Sequence, residues 1–95
     1  SNVNEPRWNI AAGIYYDYQQ YRRWKALDFE HRLKFTFGSY NAGYGTIHRA
    51  QGVSKEEGFE GNRWQDIEAV APKVGRWRHS ETLGYVEKII TMMEN

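Results

Sequence analysis

The chain has 95 residues, with 13 basic side chains against 12 acidic and no cysteine. That length fits one domain or part of one, and the absence of cysteine excludes disulfide frameworks and thiolate metal sites. The near balance of charge gives no electrostatic case for nucleic acid or a membrane surface, and no run is apolar and long enough to span a bilayer.

Pro6 suits the first turn of a helix, with Asn4 or Glu5 as its cap. Ile10, Ile14, Tyr18 and Tyr21 then recur at helical spacing, which predicts a helix from about Pro6 to Lys25. Asp28 is placed to cap a second helix with Phe29, Leu33, Phe37 and Tyr40 as its apolar stripe. Gly43 and Gly45 interrupt that pattern around Tyr44, and a short helix resumes through Thr46, Ile47 and Ala50. Residues 51–62 are poor in aliphatics and carry Gly52, Gly58 and Gly61, so they read as a loop. Trp64, Ile67, Val70 and Ala71 mark a further short helix stopped by Pro72. Ser80 suits the cap of a last helix that buries Leu83, Val86, Ile89, Ile90 and Met93. The expected fold is all-α, with four to five helices and no competing strand alternation.

Chemistry has few candidates. His31, His48 and His79 lie far apart without ligand spacing, so no metal site is expected. Glu56, Glu57 and Glu60 are the densest acidic group, but no apolar residues surround them to raise a carboxyl pKa, and they read as solvated loop charge. Ser39, His48 and Asp66 have the residue types of a triad without a nucleophile elbow. The basic-aromatic stretch Tyr21–Lys25 carries phosphate-binding and base-stacking types, yet positive charge at a helix end is a simpler reading. Nucleic acid is therefore not an expected partner.

The aromatic content is high, at 16%, with 4 Trp and 7 Tyr. Such side chains serve either as core volume or as the walls of a carbohydrate cleft. Against that background, Gly38-Ser39-Tyr40-Asn41-Ala42-Gly43-Tyr44-Gly45 stands out. Asn lowers helix propensity and needs partners for both ends of its carboxamide if buried. Small neighbours clear room for a ligand hydroxyl or acetamido group at close range.

Ser39–Gly45 resembles the Ala-Tyr-Asn-Ala-Gly-Pro-Gly signature of lytic transglycosylases with a goose-lysozyme-like catalytic domain, the soluble lytic murein transglycosylase family. Asn9, Ile10, Gly13, Tyr15 and Tyr16 resemble that family's Asn-Ile-x-x-Gly-x-x-Tyr helix. Trp64-Gln65-Asp66-Ile67, followed by Pro72, is similar to its Trp-x-Asp-Ile segment. Glu81-Thr82-Leu83-Gly84-Tyr85-Val86-Glu87-Lys88-Ile89 is similar to its final helix. Ser39 stands where the signature has Ala, and Tyr44 where it often has Pro.

The resemblance implies that residues 1–95 form the C-terminal part of a lysozyme-like domain. It lacks the family's Glu-Ser general acid and the Gly-Leu-Met-Gln segment after it, and Ser1-Asn2 reads as a cut site. No catalytic residue is then expected in this chain, because the general-acid Glu lies upstream. Tyr40, Asn41, Ala42 and Tyr85 are the implied substrate-binding residues, with Tyr85 also supporting the acid. The implied reaction cleaves the β-1,4 bond between N-acetylmuramic acid and N-acetylglucosamine to a 1,6-anhydro product, without a cofactor. Peptidoglycan strands are the implied partner, and the bacterial envelope or periplasm, or a phage-encoded cell-wall enzyme, the implied setting.

A missing N-terminal half leads to an expectation of self-association or a companion fragment, with Tyr15, Tyr18, Phe37 and Tyr40 uncovered. Two alternative readings are a non-catalytic glycan-binding domain and a small helical nucleic-acid-binding or scaffold protein.

Overall fold

Phe35, Thr36, Phe37, Gly38 and Ser39 are consecutive in one helix and all buried. A helix buried on every side must have neighbours on every side, and that requirement organises the chain. The structure, a computed structural model, describes residues 18–95. These form α1 (Tyr18–Arg23), α2 (Phe29–Ala42), α3 (Tyr44–Glu56), α4 (Trp64–Val70), a 3-10 turn (Ala71–Lys73) and α5 (His79–Glu94). The fold is all-α, as expected, with no strand among the described residues. Helix α2 is the central element and packs against α1, α3, α4 and α5. Among the described residues no helix is long and apolar enough to cross a membrane.

Three rings make the middle of the core. Phe35 lies 5.0 Å from Trp24, and its other side meets the edge of Trp64 at 5.4 Å. Ile47 and Ala50 of α3, Ile67 and Val70 of α4, and Val86 of α5 complete it. A buried indole needs a partner for its N–H, and Trp24 Nε1 donates to the buried Ser39 Oγ at 2.9 Å. Arg32 clamps α1 onto α2, because its guanidinium lies 3.5 Å over the Tyr21 ring while Nε donates to the Tyr21 carbonyl.

The apolar stripe expected on α2 is corrected by this packing. Phe37 is buried, but Phe29 is 66% exposed and Tyr40 53% exposed. Phe35, which the stripe omitted, is fully buried. Periodicity locates a single buried face, and a helix enclosed over its middle has none. Asp28 precedes α2 as expected but makes no side-chain capping bond. Helix α1 ends at Arg23, short of Lys25, and the expected helix start at Pro6, together with Asn9, Ile10, Gly13, Tyr15 and Tyr16, lies outside the described residues. Of the residues expected to be uncovered, Tyr18 and Tyr40 are exposed and Phe37 is not.

The loop expected over residues 51–62 is half helix, since α3 continues to Glu56. Ile47, Ala50 and Ser54 are its buried positions. Two of those three are small, which hides the period. Gly58, at φ 95°, closes the helix. The Ser80 cap is corrected as well, because α5 begins at His79 and Ser80 lies inside it. Of its expected buried face only Val86 is fully buried, while Thr82 joins it and Met93 is exposed. Pro72 sits within the 3-10 turn that follows α4.

Helix α4 starts on an acid. Asp66 is 1% exposed, and its Oδ2 accepts from the backbone N–H of Gly61 at 3.1 Å and of Arg63 at 3.3 Å. His31 Nδ1 accepts from the Trp64 N–H at 3.1 Å, tying the same helix end to α2. The Trp64 N–H is one of the donors that a helix start otherwise leaves unpaired.

Two glycines test the packing in opposite directions. A Cβ on Gly38 would come within 2.6 Å of Trp64 Cη2, whereas one on Gly52 would meet nothing within 4 Å. Gly38→Ala is expected to destabilise the chain by about 1–3 kcal/mol through overpacking. Gly52→Ala is expected to stabilise it by about 0.5–1 kcal/mol through helix propensity. Urea unfolding of both variants checks the pair of signs.

Candidate functional site

Tyr40, Asn41 and Ala42 form the last turn of α2, and Gly43 ends it. Gly43 adopts φ 93°, and its N–H bonds to the Ser39 carbonyl at 2.8 Å. That conformation favours glycine, and α3 starts at the next residue. The junction leaves the end of α2 beside the first turns of α5.

Tyr40 and Tyr85 meet there. Their ring centroids are 6.2 Å apart and nearly parallel, at 21°. Tyr40 keeps 53% of its surface exposed, so the ring pair reaches solvent on that side. Thr82 is 1% exposed, and its hydroxyl donates to Asn41 Oδ1 at 2.6 Å, a contact between residues 41 apart in sequence. Trp77 Nε1 donates in turn to Thr82 Oγ1 at 2.9 Å. Asn41 is itself exposed, and Ala42 is half-buried against the core. Tyr40, Asn41 and Tyr85, chosen from two separate motifs, are therefore neighbours in space.

Thr82 and Trp77 were not among the residues singled out. Thr82 lies in the motif that carries Tyr85, so an inward-facing hydroxyl one turn before that Tyr was a readable signal. Nothing in the spacing marks Trp77.

The other candidates have structural work. Ser39 accepts from Trp24, His48 stacks on Tyr44 at 5.6 Å, and Asp66 caps α4, so no triad assembles. Glu57 is paired with Lys73, and Glu56 and Glu60 are exposed. His31 holds the Trp64 N–H, and His79 stands edge-on to Trp77. Among the described residues no three His, Cys, Asp or Glu converge as a metal-ligand group. In the basic stretch Tyr21–Lys25, Trp24 is buried and Arg23 lies over the Tyr44 ring at 4.7 Å.

Comparison with known sequences agrees with the motifs. A protein of Desulfosudis oleivorans named membrane-bound lytic murein transglycosylase F is 35% identical over 95 residues, covering 87% of this chain and 21% of that protein. Proteins of the same name from Ectopseudomonas mendocina and Shewanella loihica are 26% and 27% identical, over 90% and 93% of this chain. The chain is related to the lytic murein transglycosylases. It spans about a fifth of the length of these curated relatives, 18–21%. No family model matches the chain, and no solved structure matches it. The transglycosylase motif residues at the end of α2 and in α5 are the ones that meet across the α2–α5 contact.

The tyrosine pair predicts a measurable coupling. Stacked rings contribute about 0.5–1.5 kcal/mol beyond area burial, and half-exposure places this pair at the low end. A double-mutant cycle of Tyr40→Ala and Tyr85→Ala in urea unfolding is expected to give a coupling of about 0.5 kcal/mol. Additive effects would show that the rings do not pack together in solution.

Proposed function

We propose that the end of α2 and the facing turns of α5 bind a peptidoglycan glycan strand, as part of a lytic transglycosylase that cleaves the MurNAc–GlcNAc β-1,4 bond. The observation that supports this reading is the convergence of Tyr40, Asn41 and Tyr85 on one surface. The exposed Tyr40 ring, backed by Tyr85, suits the C–H face of a pyranose ring, and the Asn41 carboxamide suits polar substituents beside it. Ala42 and Gly43 keep the approach to Asn41 low. Tyr85 is placed to orient the acid or the substrate's acetamido group. The setting this reading implies is the bacterial envelope.

The residues described here bind and position, and do not deliver a proton. The general acid of this reading is a Glu in a Glu-Ser motif, a dipeptide that does not occur in this sequence. One carboxyl that protonates the leaving oxygen and then takes the C6 hydroxyl proton must be partly desolvated, so that it stays protonated near neutral pH. Assistance by the substrate's own acetamido group replaces the second carboxylate of ordinary glycosidases. The 1,6-anhydro product follows from attack by the C6 oxygen instead of water. A purely glycan-binding role is the second reading, and it shares the same surface.

Co-sedimentation with purified sacculi tests the reading. The 95-residue chain is expected to sediment with sacculi, and Tyr40→Ala and Asn41→Ala are each expected to weaken that binding about tenfold, the loss of one good contact. The chain alone should release no 1,6-anhydro-muropeptides, and a supplied Glu-Ser-bearing half-domain should restore release. Absence of sedimentation would overturn the glycan reading. Sedimentation without cleavage in any pairing would favour the purely binding role.

A further inference from the structure

We propose that the end of α1 and the facing Arg32 of α2 form a phosphate-binding site, with Arg22, Arg23, Lys25 and Arg32 as its cationic groups. The site shares no residue with the surface formed by Tyr40, Asn41 and Tyr85, and it does not rest on the glycan reading.

The near balance of charge over the whole chain conceals a local imbalance. Gln19, Arg22, Arg23, Lys25 and Arg32 line one open concavity of about 470 Å³. Four of these side chains are cationic, one is an amide and none is a carboxylate. The sequence presents Arg22, Arg23 and Lys25 together at a helix end, and the fold adds Arg32 from the next helix. Cations at a helix C-terminus are ordinary, but that terminus supplies only about half a negative charge. Four positive groups far exceed it.

The ion pairs among the described residues join Lys34 to Glu30, Arg63 to Asp66 and Lys73 to Glu57. None of the four cations of the concavity is therefore neutralised by a described carboxylate. Aromatic rings hold the guanidinium groups instead. Arg22 lies 5.8 Å from the centre of the Tyr18 ring, Arg23 4.7 Å from that of Tyr44 and Arg32 3.5 Å from that of Tyr21. A ring face attracts a cation through its quadrupole and leaves the charge intact. It also limits the freedom that a long side chain would otherwise lose on binding. Arg32 Nε donates to the Tyr21 carbonyl, and its two Nη groups have no hydrogen-bond partner among the described residues.

The chemistry of the set selects the anion. A monocarboxylate brings one charge and two oxygens, enough for one guanidinium. A phosphate group brings up to two charges and three strong acceptor oxygens, which suits guanidinium groups from two helices. The concavity is larger than a phosphate ion, so the group that carries the phosphate fits as well. A nucleic-acid strand suits it less, because base stacking needs open aromatic faces and the Tyr21 and Tyr44 rings already carry guanidinium groups. Two sources of the phosphate remain, a lipid headgroup and a soluble phosphorylated compound.

The test titrates the 95-residue chain with inorganic phosphate at low salt and reads the arginine Nε–Hε resonances by NMR. The signals of Arg22, Arg23 and Arg32 are expected to shift together and to saturate, with a Kd of about 1 mM, the affinity that two or three charge-assisted bonds support. Acetate at matched ionic strength should bind about tenfold more weakly. Arg22→Gln and Lys25→Gln, both at exposed positions, should each weaken phosphate binding about fivefold. Lys88→Gln removes the same charge from an exposed position on α5 and should leave the Kd within about twofold.

Vesicles of phosphatidylcholine, with and without phosphatidylglycerol, separate the two sources. Co-sedimentation only with the phosphatidylglycerol vesicles, lost in Arg22→Gln, assigns the site to a lipid headgroup. Saturable phosphate binding without co-sedimentation assigns it to a soluble phosphorylated compound. Either result supports the site. Three results overturn it: shifts that rise with phosphate without saturating, an equal response to acetate, and equal weakening by Lys88→Gln. Should Arg22→Gln lose helix by circular dichroism, Lys25→Gln carries both measurements, since Lys25 lies beyond the end of α1.

Discussion

The indole of Trp64 lies against the backbone of α2 at Gly38, so close that a single methyl would collide with it. That contact seats α4 against the middle of α2. Trp64 opens α4, and its own N–H is held by His31 of α2, so ring and backbone dock the helix on the same partner. Phe35 then fills the space between Trp64 and Trp24, bringing α1 to the opposite side. Close approach of this kind needs a missing side chain at one point and large rings around it. The four buried rings, Trp24, Phe35, Phe37 and Trp64, share the core with seven buried aliphatic residues.

A central helix with every middle residue buried has only its ends left for function. At the C-terminal end of α2, the bonds from Ser39 outward change role within three residues. Ser39 accepts from Trp24 in the core, Tyr40 stacks in the open on Tyr85, and Asn41 is held by Thr82. The same rigid turn thus anchors a core contact and displays two polar aromatic and amide surfaces. Sites carried by helices that are fixed on several sides hold their geometry better than sites on loops, and Gly43 lets the next helix start without covering this one.

The acidic side chains of the described residues are engaged in structure or face solvent. Their buried acid, Asp66, is spent on the start of α4, and its oxygen accepts from two backbone N–H groups. Glu57 is engaged with Lys73, and Glu81 is exposed on α5. What the end of α2 presents to solvent is the Tyr40 ring and the Asn41 carboxamide.

Helical periodicity determined the all-α class, and the motifs pointed to the relationship with lytic murein transglycosylases and to Tyr40, Asn41 and Tyr85 as candidates, because each motif is a local run of residues. The end of α2 at Gly43, a boundary that local backbone conformation sets, was equally legible. Tertiary structure decided the rest. Phe35 rather than Phe29 is core, since a helix surrounded by four others leaves no single stripe for periodicity to detect. Residues 51–56 continue the helix with Ser54 buried and Gln51 Nε2 donating to the Gly61 carbonyl at 2.8 Å, contacts invisible as hydrophobicity. The partner of Asn41 was beyond any reading of its own motif, because Thr82 lies 41 residues further along and meets it only when α5 docks on α2. A hydrogen bond has a direction only once both partners are in place, and only the fold supplies the second one.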